Sequence, residues 1–506
     1  MDKFIRELES GDIHIRDKWQ FELKSELFPL PDSKKNFYTQ EFFIFIPSSL
    51  RINSETYSKE DFFRDQTNFI RYKTPVFNFS ELNDKTNTRS PLVRIRKLLD
   101  LKDCDKNRKE VEYELKLLGN IVRSSIRLSM LSMTKVVQSD ELKDSVEQLR
   151  KKVDLIQKEL KEFHDSFKEL EKSIKLKWSD DSESLIRHYL YVDEFISNSI
   201  YYYSIEFLKF LRERKDIDLD DIDEKICRMI ISEFHNVKFL FPNMDTLVDE
   251  KKEFIFYRAG LLNKFVLDAL LLYTSRKSPD SKIKHFIGSF AAGIAMLFYF
   301  VLFLWQGQVF LINSQAFILT TIVLYILKDR IKEGLKTFSY EFAFKWFPDF
   351  KTEIRSPDQG RYLGTLNENF FFLDPKKVSK EIIEARNKQY HETIEDFQRP
   401  ESILYHKKAI IMEDRGDIIS RRHVINLIFR FNIFKFLSKA DDSYQLYMNL
   451  DEVTHKIRFS NLPKVYHINI IMQNSFLDSE NVRVTEINKF RLIVDKDGIK
   501  RVEHVK

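Results

Sequence analysis

The chain has 506 residues, with 83 Lys and Arg against 78 Asp and Glu, and a formal net charge of +5. That length allows two or three domains with full cores, and the near-balance of charge excludes a global polyanion-binding character, so any basic site must be local. Gly (11) and Pro (12) are sparse while Phe (46) is abundant, which excludes low-complexity and repeat-linker architectures.

Residues 1–90 read as a small α/β cytosolic unit. Met1–Gly11 has no apolar signal segment, so an internal stretch is expected to direct any membrane insertion. Alternating Ile13 and Ile15 predict one strand, and Phe42–Ile46 before Pro47 a buried one. Ser58 with Glu60 and Asp61 ahead of Phe62 and Phe63 predicts a capped helix running on through Arg64 to Tyr72.

Residues 91–245 carry helical periodicity, and 139–177 stand out. Leu142, Val146, Leu149, Val153, Ile156, Leu160, Phe163, Phe167, Leu170 and Ile174 alternate four and three apart among Lys and Glu. A strict 3.5-residue period calls for a partner helix that supercoils around the seam. The partner is either a second copy of this chain or a neighbouring helix such as Leu185–Leu211 folded back. The acidic run Asp216–Glu224 fails as a calcium loop, because Asp221 stands where Gly is needed and Cys227 where Glu is needed; it reads as a solvated helix start. Cys104 and Cys227 have no metal-ligand spacing and read as free thiols of a reducing cytoplasm. Neither a metal nor a cofactor is expected.

Residues 246–347 form the membrane region. Phe254–Tyr273 is apolar but broken by Arg258, Lys264 and Asp268, so it is amphipathic. Phe286–Leu327 contains no Asp, Glu, Lys, Arg or His. As helix it reaches about 63 Å, enough to cross a hydrocarbon core of about 30 Å twice. A turn at Gln306-Gly307-Gln308 beside Trp305 gives expected spans 286–305 and 309–327. Lys and Arg flank both outer ends, from Arg276 to Lys284 and from Lys328 to Lys336, which places both termini in the cytoplasm of an inner or plasma membrane, multi-pass. Gly288, Ser289, Ala292 and Gly293 supply small-residue spacing for close helix packing. Asn313, Ser314 and Gln315 bring polar groups into the expected second span, where they face protein, water or headgroups. The pattern continues through Ile331, Leu335, Phe338, Phe342 and Trp346 to Pro348.

Residues 348–506 read as an α+β cytosolic domain, with helices over Val378–Gln398 and Ser420–Leu437. Strands are expected at Tyr444–Leu450 and Val465–Met472, followed by a hairpin of Phe490–Val494 and Ile499–Val502 around Asp497-Gly498. With both termini on one side of the membrane, the N-terminal strands are able to join this C-terminal sheet. The fold class expected is mainly α with α+β cytosolic parts: a two-span transmembrane helical hairpin, a long coiled-coil-like helix and a C-terminal α+β domain.

Chemical motifs are sparse. There is no Gly-rich phosphate loop, paired-His metal motif, Gly-x-Ser-x-Gly or Cys-x-x-Cys. Glu112, Glu114 and Lys116 echo a nuclease element but lie in a helical pattern. His391, Glu392 and His406–Lys408 offer acid/base groups in principle, but surface histidines are far commoner and the segment reads as surface. Arg415–Lys439 is the best binding segment: Arg421, Arg422, Arg430 and Lys435 interleave with Phe429, Phe431, Phe434 and Phe436, which suits an anionic ligand or single-stranded nucleic acid. A core helix with a wet basic side gives the same pattern. No catalytic residue is assigned. The function expected is an integral membrane protein with large cytosolic sensing or interaction domains, in sharper form an oligomeric membrane-perturbing or channel-like effector. Its expected partners are the bilayer and a second copy or another protein. The alternative is a membrane-tethered enzyme acting on nucleic acid or nucleotides through the C-terminal domain.

Overall fold

The computed structural model describes residues 13–30, 35–101, 104–138, 142–177, 182–213, 220–240, 252–278, 280–309, 311, 314–346, 348–357, 360–389, 401–413, 424–450, 456–477 and 482–505. The chain opens with β1 (Ile13–Ile15), β2 (Gln20–Leu27) and β3 (Asn36–Pro47). In β2 strict alternation turns Phe21, Leu23, Ser25 and Leu27 inward. Helix α1 (Lys59–Asp65) has the expected cap: Asp61 N donates to Ser58 Oγ and Ser58 N to the Asp61 carboxylate, each at 3.1 Å. It stops at Asp65, and the expected helical continuation is instead β4 (Gln66–Tyr72).

Strands from both ends of the chain build two antiparallel sheets. The others are β5 (Tyr273–Lys277), β6 (Phe350–Arg355), β7 (Tyr362–Leu373), β8 (Glu401–Met412), β9 (Ile425–Asn432), β10 (Tyr444–Leu450), β11 (Ile457–Pro463), β12 (Tyr466–Leu477), β13 (Arg483–Asp495) and β14 (Gly498–Val505). An eight-stranded sheet has the order β14-β13-β12-β3-β8-β7-β6-β5, and a four-stranded sheet the order β1-β2-β9-β4. Strand β3 therefore sits mid-sheet, with Asn36 opposite Met412 and Phe45 opposite Asn469. Phe42, Phe62, Phe370, Phe429, Phe431, Ile468 and Leu492 fill the space between the sheets. These large sheets overturn the expected mainly α class. The pairings of β3 with β8 and β12, and of β9 with β2 and β4, join residues hundreds of positions apart, which local periodicity does not report.

The second half of the architecture is a helical bundle of α2 (Phe79–Asn83), α3 (Pro91–Leu99), α4 (Asp105–Gln138), α5 (Leu142–Lys177), α6 (Ser182–Arg212), α7 (Asp220–Leu240) and α8 (Lys252–Leu267). The heptad seam of α5 is buried from Leu149 to Ile174. Its cover comes from several helices of the same chain. Phe163 meets Phe79 of α2 edge-on, Phe167 stacks on Tyr189 of α6 at 4.4 Å, and Arg96 of α3 bonds Glu169 at 3.1 Å. The coiled-coil reading is thus replaced by a bundle helix whose narrow seam is enclosed on several sides, and the seam calls for no second copy. This core also contains Tyr38, Ile70, Leu363, Ile410, Met412 and Ile425, so the bundle sits on the end of the sheets where β3 and β9 begin and β8 ends.

At the outer edge of the large sheet, between β5 and β6, a pair of antiparallel helices is inserted: α9 (Asp280–Val309) and α10 (Gln315–Trp346); β5 hands over at Lys277, opposite Lys351, and β6 resumes at Phe350, opposite Glu368. Among the described residues one helix, over Gly288–Val309, is long and apolar enough to cross a membrane. The two-span hairpin is corrected on this point. Gln306, Gly307 and Gln308 stay helical, so the break falls later and Val309 belongs to the first helix. The second is left with Gln315–Leu327 before the charged Lys328-Asp329-Arg330, about 20 Å of helix against a core of about 30 Å. The multi-pass expectation falls with it.

Candidate functional site

Two features stand out: the bare surface of the helix pair and a charged cluster buried at its root. Only 11% of the Gly288–Val309 window is buried. Phe290, Leu297 and Leu304 are exposed on α9, as are Leu319, Ile322 and Ile326 on α10. One face of each helix is covered by the other. Ala291 and Ala295 are buried, Phe303 meets Phe317, and Gln306 Nε2 donates to the Phe317 carbonyl at 2.7 Å and to Thr321 Oγ1 at 3.0 Å.

The small residues singled out from the sequence flank this contact. Nothing lies within 4 Å of a Cβ built on Gly288 or Gly293, Ser289 is exposed and Ala292 is half-buried. Ala291 and Ala295 are the small residues that let the helices approach. Asn313 lies outside the described residues. Ser314 precedes α10, where its Oγ accepts from Phe317 N at 3.2 Å, and Gln315 opens the helix. Both sit at the turn, not within a span.

The second feature arises from strand alternation. Strand β7 turns Leu366, Glu368 and Phe370 inward, and β8 turns His406, Lys408 and Ile410 inward to meet them. Glu368 Oε1 accepts from Gln66 at 3.1 Å, Asn68 at 2.7 Å and His406 Nε2 at 3.2 Å. Lys408 Nζ donates to Asn68 Oδ1 at 2.6 Å and lies 4.3 Å from the Phe429 ring centre. Arg276 of β5 approaches Glu368 at 3.7 Å and stacks on Phe350 at 3.8 Å. It thereby ties the strand entering the helix pair to the strand leaving it.

The electrostatics follow from burial among aromatics. Burial pushes Lys408 down to about 7, opposed by Glu368. Burial also pushes His406 down to about 4, with the Lys408 and Arg276 charges adding and the Glu368 hydrogen bond opposing. For Glu368 burial acts upward, yet the His406 hydrogen bond and the nearby positive charges outweigh it and hold the carboxyl at about 2. At neutral pH this is an anionic Glu368 beside a neutral imidazole, with Lys408 near its own midpoint. Among the described residues His406 Nδ1 and Gln66 Oε1 have no hydrogen-bond partner.

No known family, curated protein or solved structure matches this chain.

The remaining sequence candidates are dispersed. Ser420–Leu437 is not a helix. From Ile425 the segment is β9, whose period of two turns Phe429 and Phe431 into the core, followed by the one-turn α11 (Phe434–Leu437). Arg430 pairs with Glu22 at 2.6 Å and lies over Phe69, while Lys435 pairs with Asp61 at 2.6 Å. Both cations are occupied by neighbouring carboxylates. Arg421, Arg422, His391 and Glu392 lie outside the described residues. Lys116 bridges Glu112 and Asp268 within the bundle. No group of three or more potential metal ligands occurs among the described residues. Sequence reasoning placed His406 at the surface and missed Glu368, Gln66, Asn68 and Arg276. A signal for Glu368 was present: a carboxylate two residues before Phe370 in the aromatic strand Glu368-Asn369-Phe370-Phe371-Phe372.

Proposed function

We propose that this chain is a membrane-attached protein, with α9 held in a lipid bilayer and the sheets and bundle forming a sensing or interaction unit on the cytoplasmic face of an inner or plasma membrane. The observation that carries this reading is the bare surface of α9. A chain with ample interior elsewhere leaves Phe290, Leu297 and Leu304 uncovered, although burying each such side chain is worth about 1.5–3 kcal/mol. A bilayer supplies that cover. Lys277 before α9 and Lys328, Arg330, Lys332 and Lys336 within α10 gather toward the body of the protein, where anionic headgroups attract them and oppose their transfer across the membrane.

The sensing role rests on the wiring of the insertion. Both strands that hold the helix pair meet at Arg276, Phe350 and Glu368, so a partner bound to the body shares packed side chains with the bilayer element. Extraction of membranes with alkaline carbonate tests the reading. The full-length protein is expected in the pellet, and release into the supernatant overturns it.

A further inference from the structure

We infer that Arg71, Arg123 and Arg127 form a binding site for a phosphoryl group where the four-stranded sheet meets the bundle; the inference stands apart from the membrane reading above. Strand β4 turns Ile70 and Tyr72 into the core, so Arg71 between them leaves the sheet on its other face. Its backbone is held against the end of α8, with Tyr72 N donating to Leu270 O at 2.8 Å and Leu272 N to Ile70 O at 3.0 Å. Helix α8 also fixes α4: Asn120 Nδ2 donates to Val266 O and Arg123 Nη1 to Asn263 Oδ1, each at 2.6 Å. Arg127 stands one turn beyond Arg123 on the same face of α4. All three arginines are half-buried. They also feel one another. Burial holds Arg71 and Arg123 below the ordinary arginine range, with the Arg127 charge adding at both and the Arg71 charge adding at Arg123.

What these arginines lack selects the ligand. Arg123 has amide partners and lies over the Phe195 ring, but the side chains of Arg71 and Arg127 make no hydrogen bond or ion pair with any described residue, and Arg71 Nε is buried without a partner. Opposite Arg71 in the register, Asn426 is 3% exposed and its Oδ1 is unpartnered too. The carboxylates of that sheet face are engaged elsewhere, Glu22 by Arg16 and Arg430 and Glu26 by Lys24 and Lys73. Glu22 attracts Arg71 only from beyond ion-pair distance. Like charges one turn apart and partly desolvated donors both cost stability, and an anion seated among them removes both costs. Each guanidinium presents a planar fork of N–H donors that fits oxyanions. A carboxylate has two oxygens to share among three forks, whereas a phosphoryl group has at least three and carries up to two charges. Arg71 is bridged to Leu271, two residues ahead of β5, so an anion bound here lies beside the root of the strand that runs into α9.

The test uses the full-length protein in a neutral detergent, titrated calorimetrically at constant ionic strength with inorganic phosphate and then with water-soluble dihexanoyl phosphatidic acid. Wild type is expected to bind. Arg127→Gln is expected to bind about 10–100-fold more weakly, having lost a charged hydrogen bond to the ligand. Its ligand-free unfolding midpoint should match or exceed that of wild type, because one of three repelling charges is gone, whereas removal of a merely structural arginine would lower it. Arg127→Lys keeps the charge without the fork and should bind with intermediate affinity; it serves the same comparison should the glutamine variant not fold. A site for soluble phosphate esters takes both probes and a lipid-headgroup site the second alone, and either pattern with the loss in Arg127→Gln supports the inference. Absence of binding by wild type, or wild-type affinity in folded Arg127→Gln, overturns it. Equal weakening in Arg150→Gln, a surface cation of α5, overturns it as well by showing a bulk charge effect.

Discussion

Helices α5 and α9 both carry long apolar surfaces, and the chain treats them oppositely. In α5 the apolar residues form one stripe among Lys and Glu, so a bundle covers the stripe while water takes the rest. In α9 apolar residues surround the helix, and α10 covers only the side that holds Ala291 and Ala295. The difference shows that a narrow seam is solved inside the fold, whereas all-round apolarity leaves a demand that the polypeptide does not meet.

The comparison breaks first at α9. Leu297→Asp with Leu304→Asp, each costing about 2.5–3.5 kcal/mol in a membrane helix, is expected to move the protein from the carbonate pellet to the supernatant. Retention in the pellet would show that α9 is not the element held in lipid. Phe163→Ala, at the buried centre of the α5 seam, is expected to cost about 3–5 kcal/mol in urea denaturation of the detergent-solubilised protein. Leu297→Ala in the same detergent should stay within about 0.5 kcal/mol, since its side chain has no protein cover to lose. Equal losses at the two sites would erase the distinction.

Charge repeats the contrast between covered and uncovered groups. Folded Lys408 sits at about 7 and the unfolded side chain at its ordinary 10.5, so the unfolded chain holds more protons between those values. Stability is expected to rise with pH across that window, and Lys408→Met should flatten the rise in denaturation midpoints measured against pH. An unchanged profile would show that the lysine is hydrated. The smallest effect belongs to the half-exposed Arg150–Asp221 pair at 3.1 Å, where Arg150→Ala is expected to change unfolding free energy by less than about 1 kcal/mol.

Much of the local structure was legible. The Ser58 cap, the buried strand at Phe42–Ile46, the strand at Tyr444–Leu450 and the hairpin around Asp497-Gly498 all follow from short-range patterns. What failed was set by distance. Lys408 finds Asn68 across 340 positions, and the partners of α5 come from five other helices, so neither the buried cluster nor the bundle is written in any window of the chain. Ile425–Asn432 deceived for another reason. Its five apolar residues, Ile425, Leu427, Ile428, Phe429 and Phe431, fit both periods over so short a run, and the sheet decided in favour of two.

The place of insertion has a mechanical consequence. Helices α9 and α10 are spliced between adjacent strands, whose register closes at Lys277 opposite Lys351. A pull on the helix pair therefore draws β5 and β6 in the same direction along their axes and slides β6 against β7. Shear of this kind loads the rungs from Phe350–Glu368 to Arg355–Tyr362 at once, where peeling would open them one by one. If α9 is held in lipid as proposed, lateral tension or curvature stress there would reach the interior as a displacement of Arg276 relative to Glu368, with the sheet edge acting as a stiff spring.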